Sequence, residues 1–350
     1  MNRDMYTNVL GPQDWSMMTV MYPDENNSVI VSNSWHQKRV RVPLPQFVEE
    51  LLGDDLSHKV IRQLEGLGFT SDTSMSADEQ RLIERWLERG WGPSLEYLLW
   101  SRVSQYADED QPDVRAEIVK EYQKRDGAPP TRVRSGGEYI PLGPFLELPS
   151  DVSVGEIYMR RRTVRKYADR LVSLKMLSSV LWHGFERLRG CRKIEVDGGD
   201  LVQLFRSYGS AFDVYVMIYG VDSLGPGVYV YEPVGHSLKL VRAGEFRQEM
   251  FDILCGQGAP KTASWTIFLV ANFPQYQWRY RHERALRNLY IEAGRIGHEL
   301  ILVGSSFGFG TFQTPAARDR EAMELLALDK VCQAPVYSLT MGIDSRFIHE

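Results

Sequence analysis

Cysteine is scarce. Three occur in 350 residues, Cys191, Cys255 and Cys332, widely spaced and odd in number. That excludes a disulfide framework and a cysteine-built zinc site, and it suits a reducing, cytoplasmic setting. Long apolar runs are missing too. The longest, TIFLVANF at 266–273, is strand-sized against the roughly 20 residues of a membrane span. The N-terminal MNRDMYTNVLGPQDW lacks an apolar h-region, so it does not read as a signal peptide. Nor is there an excess of positive charge. A formal net charge of -5 speaks against nucleic acid, whose phosphates need a broad basic face. GHELIL and RHERAL each carry a His-Glu pair without the second histidine of a metalloprotease, and no P-loop is present. No metal site is therefore expected, and His282 and His298 read as partly buried, hydrogen-bonded histidines. GSSFG at 304–308 has the letters of a nucleophile elbow. It follows a long helical pattern, however, where that motif needs a strand.

What is there is ordinary for a globular chain, with 43% hydrophobic and 25% charged residues, and the length suggests about two domains. Five prolines (129, 130, 141, 144 and 149) and the pair Gly136-Gly137 mark 128–150 as a connector that resists helix and regular sheet. Residues 1–127 form a small, mainly helical domain. SVIVSNSW and KRVRV alternate like two strands, and PLPQFVEELL and SHKVIRQLEGLG read as short helices. A capping box of Ser76 and Glu79 opens a helix with Leu82, Ile83, Trp86 and Leu87 on one stripe. PSLEYLLWSRV follows. Such a set is compatible with a winged-helix-like, peptide-recognising module and equally with a helical cap.

Residues 151–350 read as α+β. Ser153 and Glu156 cap a short helix, and Ser173 starts another at LVSLKMLSSVLWHGF. DVYVMIY is a strand, GVYVYEP and SLKLV form a hairpin, and SWTIFLVA is a buried strand. Apolar residues at three- and four-residue spacing predict a long helix over 284–304, ended by the glycine turn SFGFGTF. A helix over 316–328 and the strand APVYSLTMG close the chain.

The densest charge lies in MRRRTVRKY, residues 159–167, with Arg160, Arg161, Arg162, Arg165 and Lys166 around Thr163. A charge run is usually a solvated face. Arginine forks around a hydroxyl, directly after a capped helix, also suit a phosphate, which accepts bidentate charge-assisted bonds. In FGFGT, two glycines and a threonine suit close backbone approach to a planar ligand.

Over about 150–342 these motifs, in this order, resemble the FMN-dependent nitroreductase superfamily and, within it, the SagB-type azoline dehydrogenases. RRTVRKY resembles the family's Arg-Arg-Ser-x-Arg start. GPGVYVYEPVGHSLKLV resembles its Tyr/Pro/His hairpin, and RNLYIEAG its Glu-Ala-Gly helix. GFGT and a terminal strand ending in Met-Gly match the remainder. LERGWGPSLEY at 87–97 resembles the helical segment before the flavin domain of that branch.

The resemblance implies a helix-wrapped α+β sheet that binds FMN at the interface of a homodimer, in an enzyme that oxidises thiazoline or oxazoline rings. The substrate would be a modified precursor peptide, with a cyclodehydratase as partner. It implies Arg161, Arg162, Thr163 and Arg165 at the phosphate, and Gly308, Gly310, Thr311 and Ala316 along the ring edge. Ser207 or Ser210 stands where the family has Pro-Ser-Gly-Gly. The catalytic Lys-Tyr pair falls on Tyr280-Arg281, so Tyr280, Arg281 and His282 are the catalytic candidates. Here the lysine is absent, and arginine stays charged and is a poor base. The family's helix residues His and Gln-Asn become Arg295, His298 and Glu299. Pro315-Ala316 replaces a glycine pair, and proline has no N–H to donate. A flavin reductase on a smaller substrate and a non-catalytic scaffold of a peptide-modifying complex stand as the alternatives.

Overall fold

The computed structural model describes residues 18–24, 27–45, 64, 67, 69, 76–102, 112–130, 136–198, 200–329 and 331–347. Two units divide the chain: Met1–Tyr106 with His282–Arg284, and Ala107–Arg281 with Ala285–Glu350. The division falls ahead of the proline-rich stretch.

In the smaller unit, β1 (Thr19–Asp24), β2 (Ser28–Asn33) and β3 (Lys38–Pro43) form an antiparallel sheet in that order. Period-2 alternation puts Val29, Val31 and Val42 on one side, packed on Leu64 and Phe69. Helices α1 (Ala77–Glu88) and α2 (Gly92–Trp100) contribute Ile83, Leu95 and Leu99 to a second cluster with Met18. Ser76 and Glu79 form the reciprocal cap that the sequence predicts. Strand β1 was not expected. Its Val20 and Tyr22 are exposed at 38% and 41% while Met21 packs inward, so no polar alternation marks it. The helices predicted at 43–52 and 57–68 lie largely outside the described residues.

The larger unit is built on seven strands. They are β4 (Ile140–Pro141), β5 (Phe212–Ile218), β6 (Gly227–Glu232), β7 (Ser237–Ala243), β8 (Trp265–Asn272), β9 (Phe309–Thr314) and β10 (Gln333–Ile343). Their order is β4-β7-β6-β5-β8-β10-β9, and every neighbouring pair is antiparallel. Nine helices of this unit are described: α3 (Pro112–Asp126), α4 (Val154–Arg160), α5 (Leu174–Gly184), α6 (Glu186–Asp197), α7 (Leu201–Ser207), α8 (Arg247–Ile253), α9 (Phe273–Arg279), α10 (Arg284–Ser306) and α11 (Asp319–Leu325).

Both faces of the sheet are covered, which is why its inner strands read as near-continuous apolar runs. On one face Val214, Val216, Ile267, Leu269 and Leu339 pack against Leu177 and Leu181 of α5 and Leu289, Ile296 and Leu300 of α10. On the other, Tyr215, Met217, Phe268 and Phe312 pack against Met250 of α8 and Leu325 of α11. Helix α10 lies close to its neighbours because glycines allow it. A Cβ on Gly184 would sit 2.4 Å from Leu300 Cδ2, and one on Gly297 2.4 Å from Tyr337 Cε1.

The stretch 128–150 is not free of regular structure. Ile140 and Pro141 pair with Leu238 and Ser237 at the sheet edge, where a proline without an N–H is tolerated. Leu142 is buried in the core, and the Leu146 N–H donates to Ser179 Oγ. SFGFGTF is also more than a turn, since its second half becomes edge strand β9. Helices α3, α6, α7, α8 and α9 were not expected. In α6 only Leu188 and Arg192 are buried, so no apolar stripe shows, and α7, α8 and α9 are seven residues each.

Candidate functional site

The arginine run and the glycine turn, far apart in sequence, meet in the fold. Helix α4 ends at Arg160 because the chain turns extended at Arg161. Thr163 then makes a parallel bridge to Thr311 of β9, and the Val164 N–H donates to the Thr311 carbonyl at 2.9 Å. Gly310 permits this approach: its Cβ would lie 2.9 Å from Val164 Cβ and Cγ1. Gly308 sits at φ +81°, with no heavy atom within 4 Å of where its Cβ would be, so its backbone conformation is what calls for glycine. The Ala316 N–H is taken by Thr314 Oγ1 at 3.0 Å.

The arginines divide in two groups. Arg160 pairs back to Glu156 at 3.7 Å. Among the described residues no carboxylate pairs with Arg161, Arg162 or Arg165. Arg162 donates to the Arg161 carbonyl, and the Arg165 guanidinium lies 5.1 Å from the Phe312 ring centroid. Three cationic groups without carboxylate partners, tethered beside an open glycine, fit the phosphate end of an anionic cofactor.

A second concave region collects the other candidates. It is a cleft of about 270 Å³ lined by residues of α6, α7, α9, α10 and the turn after α7, among them Ser210, Tyr280 and Glu292. Asn272 caps α9 by accepting from the Gln275 N–H, and Tyr280 follows the helix's last residue. Tyr280 packs on Tyr276, with ring centroids 4.7 Å apart, and carries the Arg279 guanidinium 4.7 Å from its ring centroid. Ser210 donates to Glu292 Oε1 at 3.1 Å. Arg295 holds both Glu292 oxygens, at 2.7 and 2.9 Å. A Cβ on Gly209 would lie 2.7 Å from Arg279 Nη1, the far end of a flexible side chain. Burial pushes the Cys191 thiol up, which keeps it protonated and a poor nucleophile.

Of the residues singled out by sequence, Ser210 and Tyr280 line this cleft. Ser207 bonds back to the Leu204 carbonyl within α7. Arg281 is directed to α3: it pairs with Asp126 and stacks on Tyr122, 4.3 Å from the ring centroid. His282 groups with the smaller unit, and burial lowers its pKa. His298 is exposed, 3.4 Å from the Tyr158 hydroxyl. The histidine of the hairpin motif, His236, is a core residue. Its Nε2 lies 2.7 Å from Ser178 Oγ and its Nδ1 2.9 Å from the Tyr231 hydroxyl. Burial, helped by the Arg189 charge, pushes its pKa down to about 4. The cleft residues Arg187, Arg206 and Arg279 carry no motif along the chain because they belong to three different helices, α6, α7 and α9. The signal that could have found them is the Tyr280 position itself, with arginines on both sides of it.

The Nitroreductase family model matches residues 158–343, more than half of the chain. A relative from Rhizobium leguminosarum bv. trifolii, the trifolitoxin operon protein TfxC, is 29% identical over 291 residues, covering 81% of this chain and 80% of that protein. Among solved structures, the Escherichia coli microcin synthetase McbBCD complex with truncated pro-MccB17 matches with a TM-score of 0.42 and 16% identity, over 68% of this chain and 94% of the matched one. Nitroreductase A from Vibrio parahaemolyticus matches with a TM-score of 0.37 and 12% identity, over 54% and 67%.

Proposed function

Since the chain belongs to the nitroreductase family and is an oxidoreductase of that type, we propose that it is an FMN-dependent dehydrogenase of the SagB type, oxidising an azoline ring in a modified precursor peptide. The single observation that carries this reading is the bridge of Thr163 to Thr311, which brings the segment of Arg161, Arg162 and Arg165 against the glycine turn. Arg161, Arg162, Thr163 and Arg165 would hold the phosphate, and the backbone of 308–311 would pass the ring edge. FMN would supply the hydride acceptor.

Tyr280, which lines the cleft, would exchange the substrate's proton. Arg279 positions it by stacking on its ring, and Arg281, tied to Asp126, acts as a structural tether. The relationship to a trifolitoxin operon protein supports a role in peptide modification, with a cyclodehydratase as partner.

A homodimer fits the exposed apolar face shared by α4 and α10. There Val154, Tyr158, Met159 and Ile291 are 51–73% exposed, and the Tyr158–His298 contact joins the two helices. The test is to purify the full chain, add FMN, and offer an azoline-containing peptide. Yellow protein that removes two hydrogens from the peptide supports the reading. Protein that stays colourless with added FMN overturns it.

A further inference from the structure

Helix α1 carries two apolar stripes, and one of them enters the core only in part. Ile83 is buried against Met18, Leu95 and Leu99, and Trp86 packs on that cluster while keeping some exposure. Leu82, Arg85, Trp86 and Arg89, spaced at three and four, share one helix face and line a groove of about 450 Å³ together with Trp91. Leu82 is 55% exposed and Trp91 58%. The end of the helix holds the second indole in place. Gly90 takes the left-handed conformation at φ +76°, its N–H donates to the Leu87 carbonyl at 3.0 Å, and the Trp91 N–H donates to the Trp86 carbonyl at 2.8 Å. This is the paired closure of a Schellman turn, and it sets the Trp91 ring edge-on to Trp86, with centroids 5.8 Å apart. Any apolar residue completes such a turn, so a half-exposed indole is more than the turn needs. Arg85 and Arg89 stand four residues apart, where like charges disfavour one another. Among the described residues no carboxylate lines the groove or pairs with either guanidinium, although Arg81, one turn earlier, pairs with Asp78. Both arginines are exposed. An exposed ion pair is weak alone, and the indoles beside these two supply the apolar contact that would hold an anionic partner against them. Tryptophan and arginine are also the side chains that dominate binding surfaces.

We propose that this groove binds an acidic, apolar segment of the precursor peptide, with a leucine or aromatic side chain set on Trp86 and Trp91 and carboxylates beside it facing Arg85 and Arg89. That the segment belongs to a precursor peptide rests on the function proposed above; the chemistry of the segment rests on the groove. Among the described residues the lining holds no nucleophile and no group that exchanges protons near neutral pH, so the site binds and does no chemistry. Two arginines are too short a basic track for a nucleic-acid backbone. Replacing the acidic residues of the peptide by amides should therefore raise KM and leave kcat unchanged.

The full chain, without added FMN, would be titrated with three blocked peptides and followed by saturation-transfer NMR. They are acetyl-Gly-Glu-Leu-Phe-Glu-Gly-amide, its uncharged analogue acetyl-Gly-Gln-Leu-Phe-Gln-Gly-amide, and its small-residue analogue acetyl-Gly-Glu-Ala-Ala-Glu-Gly-amide. The first should bind about tenfold more tightly than either analogue, a difference of about 1.4 kcal/mol. Arg85→Gln with Arg89→Gln should erase the preference for glutamate over glutamine and keep that for Leu-Phe over Ala-Ala. Trp91→Ala should do the opposite, and Leu82→Ser, also at an exposed side chain, should repeat its result. Added salt should shrink the charge preference and leave the apolar one. Arg320→Gln, at an exposed arginine on α11, should change neither. Equal binding of the three peptides, or preferences that survive these substitutions, overturns the proposal. So does sedimentation in which Trp91→Ala or Leu82→Ser lowers the oligomeric state of the peptide-free protein, because the groove then belongs to a second copy of the chain. None of these readouts requires flavin or turnover. The peptide preference can therefore fail while the dehydrogenase reading stands, and protein that stays colourless with FMN sinks that reading while the preference persists.

Discussion

Tyr280 is the residue on which the chemistry of the proposed reaction turns. Tyr280→Phe keeps the ring that stacks on Tyr276 and Arg279 and deletes the hydroxyl proposed to exchange a proton. Turnover of an azoline peptide should fall by about 10²–10⁴-fold, the usual size of a general acid–base contribution, while bound flavin absorbance stays the same. A change of less than about threefold would remove Tyr280 from the mechanism. His236 gives a prediction in pH. Its folded value, about 4, lies below the ordinary 6.5 of the unfolded chain. Below pH 6.5 the unfolded chain gains a proton that the folded one refuses until about pH 4, so stability is intact above 6.5 and declines between the two. The urea midpoint of the protein should therefore drop from pH 6.5 to 5, and His236→Gln should flatten that drop. Equal slopes in the two proteins would show that another group is responsible.

Among elements, the contacts made by glycines predict the largest effects. Gly184→Ala drives a Cβ into Leu300, which belongs to the rigid α10 wall. Overpacking of this kind costs about 1–3 kcal/mol, readable as a lowered urea midpoint. Gly310→Ala and Gly308→Ala separate two kinds of glycine. At 310 the new Cβ meets Val164 at 2.9 Å and should push the arginine segment off β9, weakening FMN retention about tenfold, a 1.4 kcal/mol effect. At 308 there is room, so the change should cost only the strain of a left-handed alanine, about 1 kcal/mol, and FMN retention should hold. Comparable FMN affinities in the two variants would break the link between the bridge and the site.

The elements that were legible in sequence carry local signatures: the capping boxes at Ser76 and Ser153, the Ser173 cap, the 3.6-residue stripe of α10 and the hairpin of β6 and β7. Those that were not, such as α6, which has no side-chain N-cap, owe their form to what they pack against. The site divides in the same way. The run at 161–165 and the turn at 308–311 show as motifs, and the resemblance picked out Tyr280. The convergence of Arg187, Arg206 and Arg279 depends on how three helices fold around it, and spacing along the chain holds no trace of that.

For the whole molecule, the exposed face of α4 and α10 makes oligomeric state the decisive measurement. Ile291 is 65% exposed, so Ile291→Asp should leave the protomer folded. If that face joins two copies, the variant should elute as a monomer and lose flavin, while the unaltered protein elutes as a dimer. A variant that remains a dimer would place the interface elsewhere.

The strand order also sets a timetable for synthesis. β10, which spans 333–343, lies between β8 and β9, so the sheet has an unfilled slot until those residues have been made. Thr163 waits about 150 positions for Thr311 to emerge, and among the described residues the one strand beside β9 in the sheet is β10. Long-range pairings of this kind form late and slowly. A chain interrupted between Lys166 and Gln333 would therefore carry every arginine of the basic run and still lack the place to use them.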